Sequence, residues 1–277
     1  MKILISADME GATGVTCPAD VLPGGPQWER QRPVFTGDVN AAIAGLFDGG
    51  ADAVLVNEAH WTMRNLLLER LDERASMLTG RHKELSMMEG VQHGDVDGVV
   101  FLGYHAGAGA EGVLAHTYLA NSITGVWLDD YPASEGYLNA KVADEFGVPV
   151  ILVTGDDKTI RDSRWYAPGA VGVAVKDYVS RYAAVCRPPA RTAADIRRAA
   201  EQAMALAGRR DKAVNGPHRF EVEFDAEHLA GAATVIPGVS QSDERRVAFK
   251  AKTMYKGIRC FKAVTTVAAA AVEEEYG

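Results

Sequence analysis

The chain has 277 residues, enough to bury a sizeable core as one large α/β domain or as two smaller ones. Apolar residues make up 47% and charged residues 24%, as in ordinary globular proteins, and the net charge of −8 argues against nucleic acid or an anionic membrane as a main partner. Cys17, Cys186 and Cys260 are widely spaced and form neither a Cys-x-x-Cys nor a disulfide framework, which fits a reducing cytoplasm.

Within the first ten residues, Met1-Lys-Ile-Leu-Ile-Ser-Ala-Asp-Met-Glu10, a mainly apolar run reads as a buried strand that leads straight into Asp8-Met9-Glu10 and then Gly11-Ala12-Thr13-Gly14. Strand alternation would put Asp8 and Glu10 on one side, about 6–7 Å apart, where two carboxylates repel unless a cation sits between them. A long irregular stretch follows, with Pro18, Pro23, Gly24, Gly25 and Pro26, of the kind that forms lids or binding loops. A helix is expected over Val34–Phe47, closed by Gly49-Gly50. Ala51–Val56 is a second buried strand and runs into Asn57-Glu58-Ala59-His60. A short helix and the strand-like Ser76–Leu78 fall within 62–80, and Ser86–Val91 reads as another short helix.

Gly98–Leu102 is a third buried strand, and it ends in Gly103-Tyr104-His105. The glycine-rich Ala106–Gly112 then leads to Val113-Leu114-Ala115-His116. Val126–Leu128 is a short strand, Asp129-Asp130 a solvated turn, and Glu135–Phe146 a helix. Val148–Val153 is the next continuous apolar strand and stops before Gly155-Asp156-Asp157, with one more strand expected at Val171–Val175. Apolar strands alternating with helices over short connections predict an α/β fold: a mainly parallel sheet covered by helices on both faces.

After Pro188-Pro189 the texture changes. Thr192–Leu206 is an amphipathic helix, Arg219–Phe224 and Arg246–Lys250 alternate as half-exposed antiparallel strands do, and a last helix is expected over Met254–Glu274. Residues 1–187 are therefore read as the α/β catalytic domain and 188–277 as a smaller α+β subdomain that serves oligomerisation or forms a pocket wall. The N-terminus enters a strand without the layout of a signal peptide, and the longest apolar stretch, Ala263–Val272, is too short for a bilayer. A cytoplasmic protein is expected.

Glu10, His60 and His105 each lie just past the carboxyl end of an apolar strand, with Asp8 at the edge of the first. In open α/β sheets the ligand crevice lies outside those ends, so residues distant in sequence meet there. Carboxylates and imidazoles without thiolates suit zinc, manganese or cobalt. About five ligands exceed the needs of one open zinc but suit two ions sharing a carboxylate, an arrangement that activates water for hydrolysis of a carbonyl or phosphoryl group. His82, His93, His218 and His228 sit in polar or turn contexts and are read as bystanders. Asp156 and Asp157 follow a strand end, as a ligand would, but precede a helix, where Asp is a good cap; the cap is the favoured reading, with support of a metal ligand or the substrate by Asp156 as the alternative. Asn139 stands one helical turn from Glu135 and is placed to orient it or the substrate.

Ser6-Ala-Asp-Met-Glu-Gly11, Val56-Asn-Glu-Ala-His60 with Met63 and Asn65, Gly103-Tyr-His-Ala106, Gly112-Val-Leu-Ala-His116 and Glu135 with Leu138-Asn-Ala140 together resemble the D-aminopeptidase family of the bacterial dipeptide-permease operon. Gly155-Asp-Asp157 and Ala174-Val-Lys176 agree. The order holds over nearly the whole chain, most clearly in residues 1–182. The resemblance implies a zinc aminopeptidase with two ions per chain. It also implies that Asp8 bridges both ions, that Glu10 and His60 complete one, and that His105 and Glu135 complete the other. Glu135 rests on the resemblance alone, since a carboxylate at a helix start is ordinarily solvated. His116, in a flexible loop eleven positions after His105, corresponds to the family's proposed catalytic histidine.

The resemblance further implies short peptides or amino-acid amides with D-amino-acid N-termini, D-alanine above all, as substrates, and a homodecamer of two stacked pentamers. The loop Gly107-Ala-Gly-Ala110 and the pair Gly136-Tyr137 depart from the family pattern beside the expected metals, which bears on side-chain and D-versus-L preference. The rival readings are an amidase, an aminopeptidase of L preference, a phosphoesterase, and a non-catalytic metal-binding assembly protein. No Arg or Lys cluster flanks the ligand segments, as a phosphate site would need, and a purely structural metal site has no use for His116.

Overall fold

Ile3, Leu4 and Ile5 have no exposed surface, because their strand has a parallel neighbour on each side and an apolar layer on each face. The computed structural model describes residues 1–213 and 216–273. Its strands in chain order are β1 (Lys2–Ala7), β2 (Ala53–Glu58), β3 (Ala75–Leu78), β4 (Gly98–Leu102), β5 (Ile123–Leu128), β6 (Tyr131–Pro132), β7 (Val150–Asp156), β8 (Val171–Ser180), β9 (Ala183–Cys186), β10 (His218–Phe224), β11 (Ser240–Asp243) and β12 (Arg246–Ala251). The helices are α1 (Pro26–Asp48), α2 (Glu135–Glu145), α3 (Asp157–Tyr166), α4 (Pro189–Ala203), α5 (Glu227–Ala233) and α6 (Met254–Ala269).

The large sheet has the order β3-β2-β1-β4-β7-β8-β9. All its pairings are parallel except the edge hairpin β8–β9, whose second strand the sequence pattern had not signalled. On one face Ile3, Ile5, Val54 and Val100 pack with Phe35, Val39 and Ile43 of α1 and Ile196 and Ala200 of α4. On the other, Leu4, Val99 and Phe101 pack with Leu138 and Val142 of α2. Each of these large side chains contributes about 1.5–3 kcal/mol through burial. The α/β expectation holds.

The smaller antiparallel sheet, β11-β12-β10-β5-β6, does not divide the chain at residue 188. β5 and β6 come from before that point and pair into it, while α4 comes from after it and lies on α1. One apolar cluster runs from Leu4 and Phe101 of the large sheet to Phe220 and Phe249 of the small one and Phe261 of α6. The chain around residue 188 is exposed, but the shared core joins what lies on either side of it into one folding unit.

α1 begins at Pro26, eight residues before the expected Val34. Pro26 occupies the first turn, where a missing N–H costs nothing, but Pro33 stands inside the helix, where it removes a bond. Tertiary contacts outweigh that loss: Trp28 Nε1 donates to Asn65 Oδ1 (3.1 Å), Gln31 Nε2 to the Thr13 carbonyl (2.7 Å) and Arg32 Nε to the Asn65 carbonyl (2.7 Å). At the other end of the chain α6 stops at Ala269, and Glu274, its expected end, lies outside the described residues. Among the described residues no helix is long and apolar enough to cross a membrane.

Candidate active site

β1, β2 and β4 are neighbours and end together, so the segments that follow them meet at one edge of the sheet. β1 stops at Ala7, and Asp8 and Glu10 stand in a tight turn rather than on the strand. The Met9 N–H donates to Asp8 Oδ1 (2.9 Å) and the Ala12 N–H to the Met9 carbonyl (3.1 Å). This turn lies against the backbone after β4. The Gly11 N–H donates to the Gly103 carbonyl (2.7 Å), and a Cβ on Gly11 would stand 1.9 Å from the Tyr104 carbonyl oxygen. Only glycine permits that approach.

The turn after β2 is shaped by Glu58, whose oxygens accept from the Asn65 N–H (2.7 Å) and the Leu66 N–H (2.9 Å). The turn presents His60. Glu135 opens α2, behind the Ser134 cap, and accepts the Tyr118 N–H at 2.7 Å. It is buried rather than solvated, because α2 aims its N-terminus into the crevice instead of outward.

Asp8, Glu10 and His60 form one group of potential ligand atoms lying within 4.8 Å of one another, and Asp8, His105 and Glu135 form a second. Asp8 divides its oxygens between them. Oδ1 lies 3.4 Å from His60 Nδ1, and Oδ2 lies 3.3 Å from His105 Nε2. Glu10 Oε2 is 3.0 Å from His60 Nδ1, and Glu135 Oε1 is 3.6 Å from His105 Nε2. The His116 ring stacks on that of His105, with centroids 4.2 Å apart and planes 8° apart, and its Nε2 faces Glu10 at 3.7 Å and Glu135 at 3.9 Å. The side chain of His116 is 14% exposed against 1% for His105, so of the stacked pair it is His116 that meets the cavity.

All three imidazoles are oriented by backbone. His60 Nε2 donates to the Val21 carbonyl, His105 Nδ1 to the Ala106 carbonyl and His116 Nδ1 to the Leu114 carbonyl, each at 2.9 Å. The hydrogen of a neutral ring is thereby committed outward, and the other nitrogen turns a lone pair toward carboxylate oxygens. Acceptor then faces acceptor. Asp8 Oδ2, Glu10 Oε2 and His105 Nε2 are buried without a hydrogen-bond partner among the described residues. Protons or cations must resolve the conflict.

In the metal-free site protons do so. Burial alone would raise the Asp8 carboxyl, but hydrogen bonds from His105 and His60 hold it below its ordinary range. Burial likewise acts to raise Glu10 and Glu135, and the His60 and His105 charges hold them low. Burial pulls His60 and His105 down, yet Glu10 beside the first and Glu135 beside the second, each helped by Asp8, push them well above 6.5. A divalent cation at each group would replace those protons. Oxygen and imidazole donors of this kind fit zinc.

The other expected residues serve the frame. Asp156 caps α3, accepting the Thr159 N–H at 2.7 Å, and its second oxygen takes the Val113 N–H (2.6 Å), which ties down the loop that carries His116. Asp157 accepts from the Tyr178 N–H (2.6 Å). Asn139 Nδ2 donates to the Tyr104 hydroxyl (3.0 Å) and Met87 Sδ (3.3 Å) and makes no hydrogen bond to Glu135 among the described residues. His218, expected as a bystander, is buried against Asp129 at 2.7 Å; the Asp129 side chain is bonded yet 42% exposed and that of Asp130 is 84% exposed, so the turn is solvated as expected.

Lys176 has no exposed surface, and its ammonium donates to the carbonyls of Glu10 (2.6 Å), Ala12 (3.0 Å) and Val15 (2.7 Å). A buried cation on β8 thus fixes the backbone of the turn that holds Asp8 and Glu10. Burial pushes its pKa down to about 8, against the pull of Asp156 and Asp38. Its sequence signals are a charge directly after the apolar run Val171–Val175 and its place in the family-like segment Ala174-Val-Lys176, neither of which points to this role.

The site opens into a cavity of about 740 Å³, of a size that holds a small ligand, whose far wall includes Lys262, Thr265 and Thr266 of α6. Trp61, Met63, His82, Ser86, Tyr118 and Ala120 also line it, and all six have left-handed backbone, with φ between 43° and 70°. None is glycine, so each is strained, as residues around binding sites often are.

A family model described as D-aminopeptidase matches residues 1–263. The chain is 34% identical over 272 residues to the D-aminopeptidase of Bacillus subtilis (strain 168), covering 97% of this chain and 98% of the relative. Its fold matches the solved structure of the Zn-dependent D-aminopeptidase DppA from Bacillus subtilis, a self-compartmentalizing protease, with a TM-score of 0.90 at 32% identity, over 97% of this chain and 98% of the other.

Proposed function

The chain belongs to the D-aminopeptidase family, and from that premise we propose that it is a zinc aminopeptidase removing D-amino-acid residues, D-alanine above all, from the N-termini of short peptides or amino-acid amides. The observation that carries this reading is the convergence of lone pairs: oriented imidazole nitrogens face buried carboxylate oxygens with no donor between them. Asp8, Glu10 and His60 would hold one zinc ion, and Asp8, His105 and Glu135 a second, with manganese or cobalt able to take the same donors. Two such ions supply Lewis acidity and an activated water.

The protein's own side chains do the rest. The carboxylate oxygens of Glu10 and Glu135 face the cavity end where a substrate ammonium group would lie. His116 Nε2, at the cavity surface and steadied by the Leu114 carbonyl, is placed to stabilise an oxyanion or to pass a proton to the leaving amine. Residues 188–277 supply part of the cavity wall through α6. A homodecamer of stacked pentamers in the cytoplasm is the assembly we infer; exposed Val179, Tyr182 and Val185 on the β8–β9 edge suit a subunit contact.

The test is a panel of D- and L-aminoacyl amides and dipeptides, with a phosphate monoester included because the cavity holds Arg81, Lys83 and Lys262. Turnover of D-alanyl substrates should vanish with chelator and return with zinc. If no N-terminal residue is released under any condition, the peptidase reading is wrong.

Metal and protons also compete in a way that pH reveals. His60 and His105 are raised in the metal-free fold, so their contribution to stability is complete below 6.5 and is lost as pH rises through the raised values. Asp8, Glu10 and Glu135 are lowered, so their contribution is present above 4.5 and is lost as pH falls. Chelated protein should therefore lose Tm as pH climbs above 6.5, and zinc-loaded protein should not. Calorimetry at stepped pH checks this; a chelated protein whose Tm rises over that range would contradict the site described.

A further inference from the structure

The cavity carries charges of both signs. Asp8, Glu10 and Glu135 line it, and so do Arg81, Lys83 and Lys262. Lys83 is committed, since its ammonium donates to Asn57 Oδ1 and to the Glu58 carbonyl, at the end of β2 and two residues before His60. The Lys262 ammonium donates to the Lys83 carbonyl, which places it on the His60 side of the cavity with hydrogens to spare. Arg81 lines the same cavity as Lys262, and neither forms an ion pair among the described residues.

The nearby carboxylates are engaged elsewhere. Glu84 pairs with Arg259 and accepts from the Tyr255 hydroxyl, Glu89 accepts from the Leu85 N–H and Gln92, and Glu58 holds the Asn65 turn. Two adjacent cations on a cavity wall repel each other and gain from an anion between them. Arginine in particular matches a carboxylate through paired hydrogen bonds. An extended dipeptide spans about 7 Å between its charged ends, at roughly 3.5 Å per residue, and its C-terminal carboxylate is the anion that these cations would receive.

Resting on the aminopeptidase reading above, we propose that Arg81 and Lys262 bind the C-terminal carboxylate of the substrate, so that the enzyme selects free short peptides, dipeptides foremost, over C-terminally blocked peptides and amides. Both residues are positioning groups: they fix the length and register of the peptide while the chemistry proceeds at the other end. Side chains from the β3 connection and from α6 thus read the end of the substrate opposite to its free N-terminal amine.

The test compares D-alanyl-D-alanine with D-alanyl-D-alanine amide on zinc-loaded protein. Wild type should favour the free acid about 10- to 100-fold in kcat/KM, as loss of a charged hydrogen-bond partner does. Arg81→Ala and Lys262→Ala should each raise KM for the free acid about tenfold with kcat held, leave the amide unchanged, and lose most of the preference. Arg81→Lys should recover much of it. Equal handling of acid and amide by wild type, or equal loss of both in the variants, would overturn the assignment, as would turnover of p-nitrophenyl phosphate that falls in the same variants. Turnover of neither peptide by wild type would overturn it together with the aminopeptidase reading, and is told apart by that double failure.

Discussion

Asp8→Ala is expected to strip both zinc ions from the chain and to lower kcat/KM by about 10³-fold or more. Asp8 is the one side chain that belongs to both donor groups, with Oδ1 at 3.4 Å from His60 and Oδ2 at 3.3 Å from His105. Its removal takes a donor from each group at once. His60→Ala removes a donor from one group only and should leave an ion at the other, held by Asp8, His105 and Glu135. Metal analysis after dialysis separates the two cases: two ions per chain in wild type, one in His60→Ala and none in Asp8→Ala. An Asp8→Ala protein that keeps one ion as firmly as His60→Ala does would show that the sites do not share this carboxylate. Circular dichroism excludes unfolding as the cause, and the frame gives reason to expect a folded variant. The turn is held by Lys176 through the backbone carbonyls of Glu10, Ala12 and Val15, which no change at the Asp8 side chain touches.

His116→Ala should retain both ions and lose about 10²- to 10⁴-fold in kcat, the range typical of a general acid–base group. The geometry leaves a competing role to exclude, because Glu10, His105 and His116 also lie within 4.8 Å and could hold a cation. Two observations favour catalysis. His105 Nε2 is already directed between Asp8 and Glu135, and His116 stands farther from its carboxylates, 3.7 and 3.9 Å, and is more exposed. A ligand would be the deepest member of such a stack, and His116 is the outer one. Loss of an ion in His116→Ala would reassign it as a ligand, and turnover near wild type would remove it from the mechanism.

Much of the site was legible because strand ends are legible. Apolar runs leading into Asp8, Asn57 and Gly103 brought Asp8, Glu10, His60 and His105 into one crevice, since parallel neighbours end at the same edge. The stated reason for Asp8 and Glu10 was only half right: a turn, not strand alternation, aims them at His60. Glu135 was not readable from its own surroundings, because its burial depends on where α2 points, and that is set by packing rather than by local pattern. The division at residue 188 failed for a related reason. A change in texture along the chain marks where parallel strands give way to antiparallel ones, but strand pairing ignores sequence order, and β5 crossed into the later sheet. Arg81 and Lys262 share a wall only through the fold, since a β3 connection and a C-terminal helix show no common signal in one dimension.

Six residues around the cavity, Trp61, Met63, His82, Ser86, Tyr118 and Ala120, have left-handed backbone, each at a cost of about 1–2 kcal/mol. Their combined load reaches the same order as the net stability of a whole domain. The surrounding core must hold these loops in place, so damage far from the cavity is felt there first. A mutation that weakens the sheet would loosen the rim while the fold still melts as one unit, and activity would decay at temperatures where the protein still looks native. For anyone adapting this scaffold to hotter conditions, the useful substitutions lie in the two sheets and their helices, which hold the strained rim in place.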